Sequence, residues 1–435
     1  MKNWLTIFLV GCVFSMYIFP FTFTFLPVGN TKIFIAVLGL ILWGANMITG
    51  RESLVSKSMV KVSAWAMAVS LISLISLAYN NATDTAYAGY IVSMWVWVGA
   101  AYFVIKCIKF VHHAISVELI CKYFIAVCLF QCVASLLNEF YPSFAAVVNS
   151  LVIQHDQEYL ELVDRMYGIG AAFDTAGTRF ACALVMLAYL LPRVMNNQNS
   201  VWASLYIIAF VFISIVGNMV ARTTSVGMVL GLGLIAYDSR LFTLKLSQSY
   251  VRIFQWTLIV IIVSIPIISY VYSNPNVKPL FDFAFEGFIN MAETGTWETH
   301  STNELLAMWS KLPVDMKTWI IGDGYFLSPY ASNPFYVGIH TWTYYMGTDV
   351  GYLRLIYYFG IIGLSIFALF LVICSKECIN NNPKDKILFI VILIMNFIIW
   401  AKVATDLFCV FALFLMLDPS IQEENPNTNL TTVEQ

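Results

Sequence analysis

Charged residues are scarce in this 435-residue chain. Lys, Arg, Asp and Glu make up 11% of it, whereas hydrophobic residues make up 60%. A typical soluble domain has about a quarter of its residues charged, and the mean hydropathy here is +0.78. The composition therefore excludes an ordinary soluble domain and predicts an all-α, polytopic membrane protein. Because the net charge is −2 and the basic residues are scattered, nothing predicts nucleic-acid binding.

Sequence patterns for metal or serine-esterase catalysis are also missing. The chain contains no D-x-D pair, no H-E-x-x-H, no ligand spacing typical of zinc and no G-x-S-x-G. We therefore expect no metal and no cofactor. The nine cysteines fall in predicted spans or on the predicted inner side, so no disulfides are expected.

Apolar runs long enough to cross about 30 Å of hydrocarbon follow one another along the chain. They predict about twelve transmembrane helices, at 4–25, 31–49, 60–79, 87–105, 118–138, 171–191, 201–220, 223–238, 253–273, 349–374, 387–401 and 403–418. One helix remains an alternative to the last two, because Lys402 and Asp406 are spaced to pair within it. We expect one transmembrane domain over 1–418 and a disordered cytoplasmic tail over 419–435.

Lys and Arg are concentrated in one set of connecting loops, which the positive-inside rule assigns to the cytoplasm. Both termini are then cytoplasmic. Two long segments, about 139–170 and 274–348, fall on the outer side. In the second, Ser301-Thr-Asn-Glu304 fits a capping box that begins an amphipathic helix.

Several Lys and Arg residues lie outside the loops that this rule assigns to the cytoplasm. Four of them lie within or at the outer ends of predicted spans: Arg179, Arg222, Arg354 and Lys402. On this topology we expect them to converge near the outer leaflet, where an anionic ligand or carboxylate partners would compensate their charge. The planar fork of arginine suits phosphate, so a lipid-linked diphosphate fits this arrangement. A purely structural pairing remains open for Arg179 with Asp174, and for Lys402 with Asp406.

The stretch from His340 to Gly363 places Arg354 early in a long apolar run. We expect Asp349 to cap the start of this helix, with Arg354 roughly 7 Å farther along it. No acidic residue shares the helix face of Arg354. Gly351 and Tyr358 do share it, which predicts open space on one side and a hydroxyl nearby.

His340 is the predicted general base, because an unperturbed imidazole titrates near neutral pH. A lone histidine in a loop is usually a solvated surface residue, and the place of His340 shortly before the Arg354 helix favours function. His300 is the competing candidate and His155 a weaker one. Tyr345 and Trp342 are candidates to stack on sugars, although interfacial packing explains such aromatics as often.

These features resemble the O-antigen polymerase (Wzy-type) and O-antigen ligase family of bacterial inner-membrane glycosyltransferases. The arrangement of spans and loops resembles that of the family over most of the chain, whereas the sequence resembles it only in short stretches. These are Gly322-Asp-Gly324, His340, the run from Asp349 to Gly363, and Arg222 in an A-R-T-T-S turn. The chain departs from the family before Trp309, where many members, ligases especially, carry an arginine.

The resemblance implies a GT-C-like fold in the bacterial inner membrane, with the active site facing the periplasm. It implies undecaprenyl-diphosphate-linked oligosaccharides as donor and acceptor, membrane lipid around the chain and a chain-length regulator protein as a further partner. His340 would take the proton of the acceptor hydroxyl in an inverting, metal-independent transfer. The resemblance also implies that the diphosphate is bound by Arg222, Arg354 and Arg179. Supporting roles fall to Asp349, Tyr345 and Lys402.

We therefore expect a polysaccharide polymerase that joins lipid-linked repeat units. The nearest alternative is the ligase that transfers the finished glycan to lipid A-core, and the missing arginine before Trp309 argues against it. A lipid-linked oligosaccharide flippase or other transporter is the alternative from another class. It would place its cations in a cavity at mid-membrane and have short loops.

Overall fold

The structure of the protein is a computed structural model, and most of its described part is helical. The described residues are 4–50, 56–154, 160, 165–196, 200–238, 269, 273–275, 277–296, 298–332, 336–341 and 343–418. Three predictions from the sequence lie outside these residues, namely the tail 419–435 and the candidates His155 and Trp342, and of the predicted span 253–273 only 269 and 273 are described.

Helices lie in the described parts of the predicted spans, and further helices lie in the two predicted outer segments. Their bounds are Trp4–Ile18, Thr31–Ile48, Lys57–Asn80, Tyr90–His112, Val117–Phe140, Pro142–Leu151, Phe173–Asn196, Ser200–Val220, Thr224–Asp238, Lys278–Thr294, His300–Trp309, Met316–Ile321, Pro329–Ser332, Gly351–Asn381, Lys386–Ile399 and Phe408–Leu415. Within the described ranges, seven helices are long and apolar enough to cross a membrane. The structure thus supports a membrane protein, while the count of twelve spans stays a prediction.

The first predicted span, 4–25, is too long, because its helix ends at Ile18. Thr22–Phe23 instead pairs antiparallel with Leu26–Asn30 on one side and with Val152–Ile153 on the other. Pro20 has no N–H to donate to a continuing helix, and the alternation of Phe and Thr after it favours a strand. A small three-stranded sheet therefore stands where the prediction had helix.

The apolar block 387–418 contains two short helices, Lys386–Ile399 and Phe408–Leu415. A non-helical connection separates them, so Lys402 and Asp406 do not pair along one helix. Asp406 Oδ1 instead accepts the Phe408 N–H at 2.9 Å, where the second helix begins. The single-helix alternative is wrong.

The chain folds into two compact units. Unit 1 is 1–13, 31–117 and 305–435, and unit 2 is 14–30 and 118–304. In unit 1, Gly39 packs directly on the backbone of Gly99, so two helices approach closely. In unit 2, Phe173–Asn196 is mostly buried, and Gly227 lies against the backbone of Ala181 within it.

The helix Gly351–Asn381 of unit 1, which carries Arg354, is broken. Its backbone leaves helical geometry at Phe359 and Gly360, where φ is 68° and ψ is −174° for the glycine. The segment Gly322-Asp323-Gly324 lies against this break. Asp323 N donates to Tyr357 O at 2.6 Å, and Gly324 N donates to Tyr358 O at 3.1 Å. These bonds satisfy two carbonyls beside the break, because every buried carbonyl needs a donor.

Candidate functional site

The Arg354 guanidinium lies between two aromatic rings. Its Cζ is 3.7 Å from the ring centroid of Phe326 and 3.8 Å from that of Tyr344. Arg354 is 6% exposed, and its Nη1 is 3.4 Å from Asp349 Oδ1. Its Nε is buried with no hydrogen-bond partner among the described residues. The cation is thus enclosed and has one long carboxylate contact.

Asp349 does not cap the helix, although the sequence predicted that it would. Val350 occupies the N-cap position without a side-chain hydrogen bond, and the Asp349 carboxylate turns toward Arg354 instead. The open space expected at Gly351 is also absent, because this glycine packs on the backbone of Trp400 and Val403. The Gly351 contacts come from another segment, about which the periodicity of the helix carries no information, whereas the Asp349 contact joins two residues five apart at the start of one helix.

The Tyr358 ring lies 6.3 Å from the Phe326 ring, and its hydroxyl bonds to another loop. Tyr358 Oη donates to the backbone oxygen of Asp84 at 2.9 Å. The Asp84 carboxylate accepts the N–H groups of Ala86 at 3.0 Å, Phe326 at 2.8 Å and Leu327 at 2.9 Å. Asp84 therefore ties the Arg354 helix to the loop whose Phe326 ring covers the guanidinium. Nothing in the sequence marks Asp84, since a single aspartate in a short polar loop carries no signal.

Tyr345 begins a short 3-10 turn before the Arg354 helix. Its hydroxyl donates to Asp323 Oδ2 at 3.3 Å, and its ring lies 5.4 Å from the Tyr325 ring. Burial raises the pKa of Tyr345 above its usual value, and the Asp323 carboxylate adds to this effect. Tyr345 thus joins the Gly322-Asp323-Gly324 segment to the Arg354 helix and stays protonated.

His340 is exposed and belongs to the same unit as Arg354. Its ring stacks on Tyr330, with centroids 4.2 Å apart, and its Nε2 is 2.8 Å from Tyr336 O. An acceptor bonded to Nε2 favours the tautomer that carries the proton there. Nδ1 is then the nitrogen free to accept a proton from a substrate hydroxyl.

Lys402 lies in the same unit, just beyond the helix Lys386–Ile399. Its backbone N–H donates to Ile399 O at 2.9 Å. In this connection Trp400 Nε1 also donates to Thr405 O at 2.9 Å. Lys402 is therefore held by a structured turn and not by a regular helix.

Arg222 belongs to unit 2, in the tight turn between Ser200–Val220 and Thr224–Asp238. Its Nη2 is 2.6 Å from Glu286 Oε2, and its Nη1 donates to Ser301 Oγ at 2.8 Å. Ser301 is thus not the cap that the sequence predicted. Thr299 takes that place, since its Oγ1 accepts the Thr302 N–H at 2.9 Å.

A second arginine, Arg165, shares the aromatic contact of Arg222. The Cζ of Arg222 is 4.2 Å from the ring centroid of Phe283, and the Cζ of Arg165 is 4.8 Å from it. Burial lowers the pKa of Arg222, and the charge of Arg165 lowers it further, while Glu286 acts in the opposite direction. Sequence analysis gave Arg165 no role, because a single arginine in a loop carries no signal of its own.

Arg179, also in unit 2, is 8% exposed. Its Nη1 donates to Thr175 O, and its Cζ is 5.9 Å from the Phe19 ring centroid. Asp174, the suggested partner, accepts a hydrogen bond from Thr223 Oγ1. The Nη1 bond ties the guanidinium to its own helix, while its Nε is buried without a hydrogen-bond partner among the described residues. Diphosphate binding by Arg179 stays a prediction.

The competing histidine, His300, lies in unit 2. Its backbone N–H donates to Glu286 Oε1 at 2.9 Å, and its Nε2 is 3.2 Å from Glu304 Oε1. The predicted residues therefore form two groups: His340, Tyr345, Asp349, Arg354 and Lys402 in unit 1, and Arg179 and Arg222 in unit 2. Convergence of all four cations at one depth stays a prediction.

No group of three or more His, Cys, Asp and Glu side chains is placed to hold a metal ion in the part of the chain that the structure describes. All nine cysteines are free thiols. Comparison with known proteins found no match, whether among protein-family models, curated proteins or solved structures.

Proposed function

We propose that the chain is an O-antigen polymerase, a glycosyltransferase that joins undecaprenyl-diphosphate-linked repeat units at the periplasmic face of the bacterial inner membrane. The observation that carries this proposal is the enclosed Arg354 guanidinium. The short motifs around it, Gly322-Asp-Gly324 and the run from Asp349 to Gly363, carry the resemblance to that family.

The surroundings of Arg354 compensate its charge only in part. Burying an ion costs several kcal/mol unless its partners are close and well aligned. Each aromatic ring contributes about 2 kcal/mol when the cation is desolvated, whereas the Asp349 contact at 3.4 Å is long for a charge-assisted hydrogen bond. An anion that also engaged the unused Nε would complete this environment. Phe326 or Tyr344 must move aside to admit it.

His340 supplies the base of the proposed reaction. The acceptor hydroxyl oxygen bonds to the anomeric carbon of the donor, the bond from that carbon to the diphosphate breaks, and the hydroxyl proton passes to His340. The bonding electrons leave with the diphosphate, whose developing charge Arg354 stabilises. Single displacement inverts the anomeric carbon. A diphosphate is a good leaving group, so the reaction needs no strong acid, and the resemblance implies that it needs no metal.

We propose twelve spans with cytoplasmic termini, and a periplasmic location for the segment that carries His340. The substrates are lipid-linked oligosaccharides as donor and acceptor, and a chain-length regulator is a further partner.

Glycan banding in cells tests this function. Cells that lack the gene should be complemented by the wild type, by His340→Ala and by Arg354→Lys, with the level of each variant measured by immunoblot. The wild type should restore a ladder of repeat units, whereas His340→Ala should leave a single unit on the core. Arg354→Lys keeps the charge but loses the planar fork, so its ladder should be reduced at least about tenfold.

The other outcomes separate the alternatives. If cells carrying His340→Ala had no glycan on the lipid A-core and accumulated lipid-linked polymer, the protein would be a ligase. Accumulation of lipid-linked single units on the cytoplasmic face would identify a flippase. An unchanged ladder from His340→Ala would remove this histidine from the mechanism.

A further inference from the structure

Two guanidinium groups of unit 2 share one aromatic ring. Arg222 and Arg165 each lie close to the Phe283 centroid, at 4.2 and 4.8 Å respectively. Like charges repel, so two arginines on one ring are stable only where anions offset them. Among the described residues, Glu286 is the single carboxylate that contacts Arg222. Arg165, Arg222 and Glu286 together therefore carry a net positive charge.

Arg222 also has unused hydrogen-bonding capacity. Its Nη2 contacts Glu286 and its Nη1 contacts Ser301, but its Nε is buried without a partner among the described residues. A carboxylate has two oxygens, and the second oxygen of Glu286 already accepts the His300 N–H. Glu286 therefore satisfies Arg222 only partly.

We propose that Arg165 and Arg222 form a binding site for the diphosphate of a lipid-linked substrate, and that Glu286 is the counter-ion which this diphosphate displaces. The substrate class rests on the proposed function.

The geometry favours displacement of Glu286. Its side chain is 27% exposed, against 18% for Arg222, so water reaches the ion pair. The His300 N–H holds one carboxylate oxygen, which keeps Glu286 near the site after Arg222 is released. A diphosphate carries more charge and more acceptor oxygens than a carboxylate, so it engages both arginines where Glu286 contacts one.

The experiment measures binding of inorganic pyrophosphate to the purified full-length chain in detergent by isothermal titration calorimetry. Glu286→Gln removes the competing charge but keeps an acceptor for His300, and should tighten binding about tenfold. Glu304→Gln is the matched control, because Glu304 contacts His300 and not Arg222; its affinity should equal that of the wild type. Arg165→Lys and Arg222→Lys, which preserve the charge, should each weaken binding about tenfold.

Two results would overturn the proposal. Equal affinity of Glu286→Gln and the wild type would show that Glu286 is not the counter-ion, and equal affinity of Arg165→Lys and the wild type would remove Arg165 from the site. The proposed function fails separately. Pyrophosphate binding that depends on both arginines, in a chain that makes no polymer, would uphold the site and refute the polymerase.

Discussion

At the scale of single residues, the sequence locates Arg354 correctly but not its surroundings. Its place near the start of a long apolar helix follows from the pattern of residues alone. The rings of Phe326 and Tyr344 that enclose it come from a loop, and helix periodicity contains no information about them. Asp349 likewise turns to Arg354 because a neutralising contact with a buried cation is worth more than a helix cap.

Asp84 makes this enclosure depend on a distant loop. Replacing it with alanine leaves three backbone N–H groups without their acceptor, those of Ala86, Phe326 and Leu327. We expect Asp84→Ala to destabilise the protein by about 2 to 3 kcal/mol and to lower polymer yield, because the Phe326 ring loses its position over Arg354. Thermal unfolding in detergent and glycan banding measure the two effects.

Asp315→Ala is the matched control for this change, since Asp315 is exposed and makes no side-chain cap bond at its helix. Asp84→Asn keeps one acceptor oxygen and should fall between the wild type and Asp84→Ala. Equal melting temperatures for Asp84→Ala and Asp315→Ala would contradict this role of Asp84.

At the scale of elements, apolar runs predict the helices well and their interruptions poorly. The predicted helix over 349–374 exists but is broken at Phe359 and Gly360. Glycine suits many conformations, so a Gly in an apolar run does not by itself reveal a break. What imposes the break is the Gly322-Asp323-Gly324 segment, whose N–H groups take the carbonyls of Tyr357 and Tyr358.

Gly360 should therefore tolerate no side chain. Its φ of 68° with ψ of −174° is a region that only glycine adopts readily, and a Cβ there would collide with the backbone of Ile320. We expect Gly360→Ala to destabilise the protein by about 3 kcal/mol. Differential scanning fluorimetry of the purified chain measures this change.

Gly44→Ala provides the control, because a Cβ at Gly44 in the same unit would meet open space. This variant should be neutral or slightly stabilised, since alanine favours a helix more than glycine does. If Gly360→Ala melted at as high a temperature as Gly44→Ala, the claim that the helix break requires glycine at position 360 would be wrong.

At the scale of the whole molecule, the composition predicts the class of protein, and seven long apolar helices among the described residues agree with it. The sequence does not predict the division into two units, because contacts between distant segments such as 31–117 and 305–435 leave no local pattern. Nor does it reveal that aromatic rings lie over the guanidinium groups of Arg354 in one unit and Arg222 in the other. The function proposed for them rests on these surroundings and on short motifs.

Reconstitution tests that function most directly. The purified chain, in vesicles that contain lipid-linked repeat units and excess EDTA, should convert them into longer lipid-linked glycans and release undecaprenyl diphosphate. The wild type should produce a ladder without added metal, and His340→Ala should produce none. Failure of the wild type to lengthen any lipid-linked unit, with or without a divalent metal, would contradict the account.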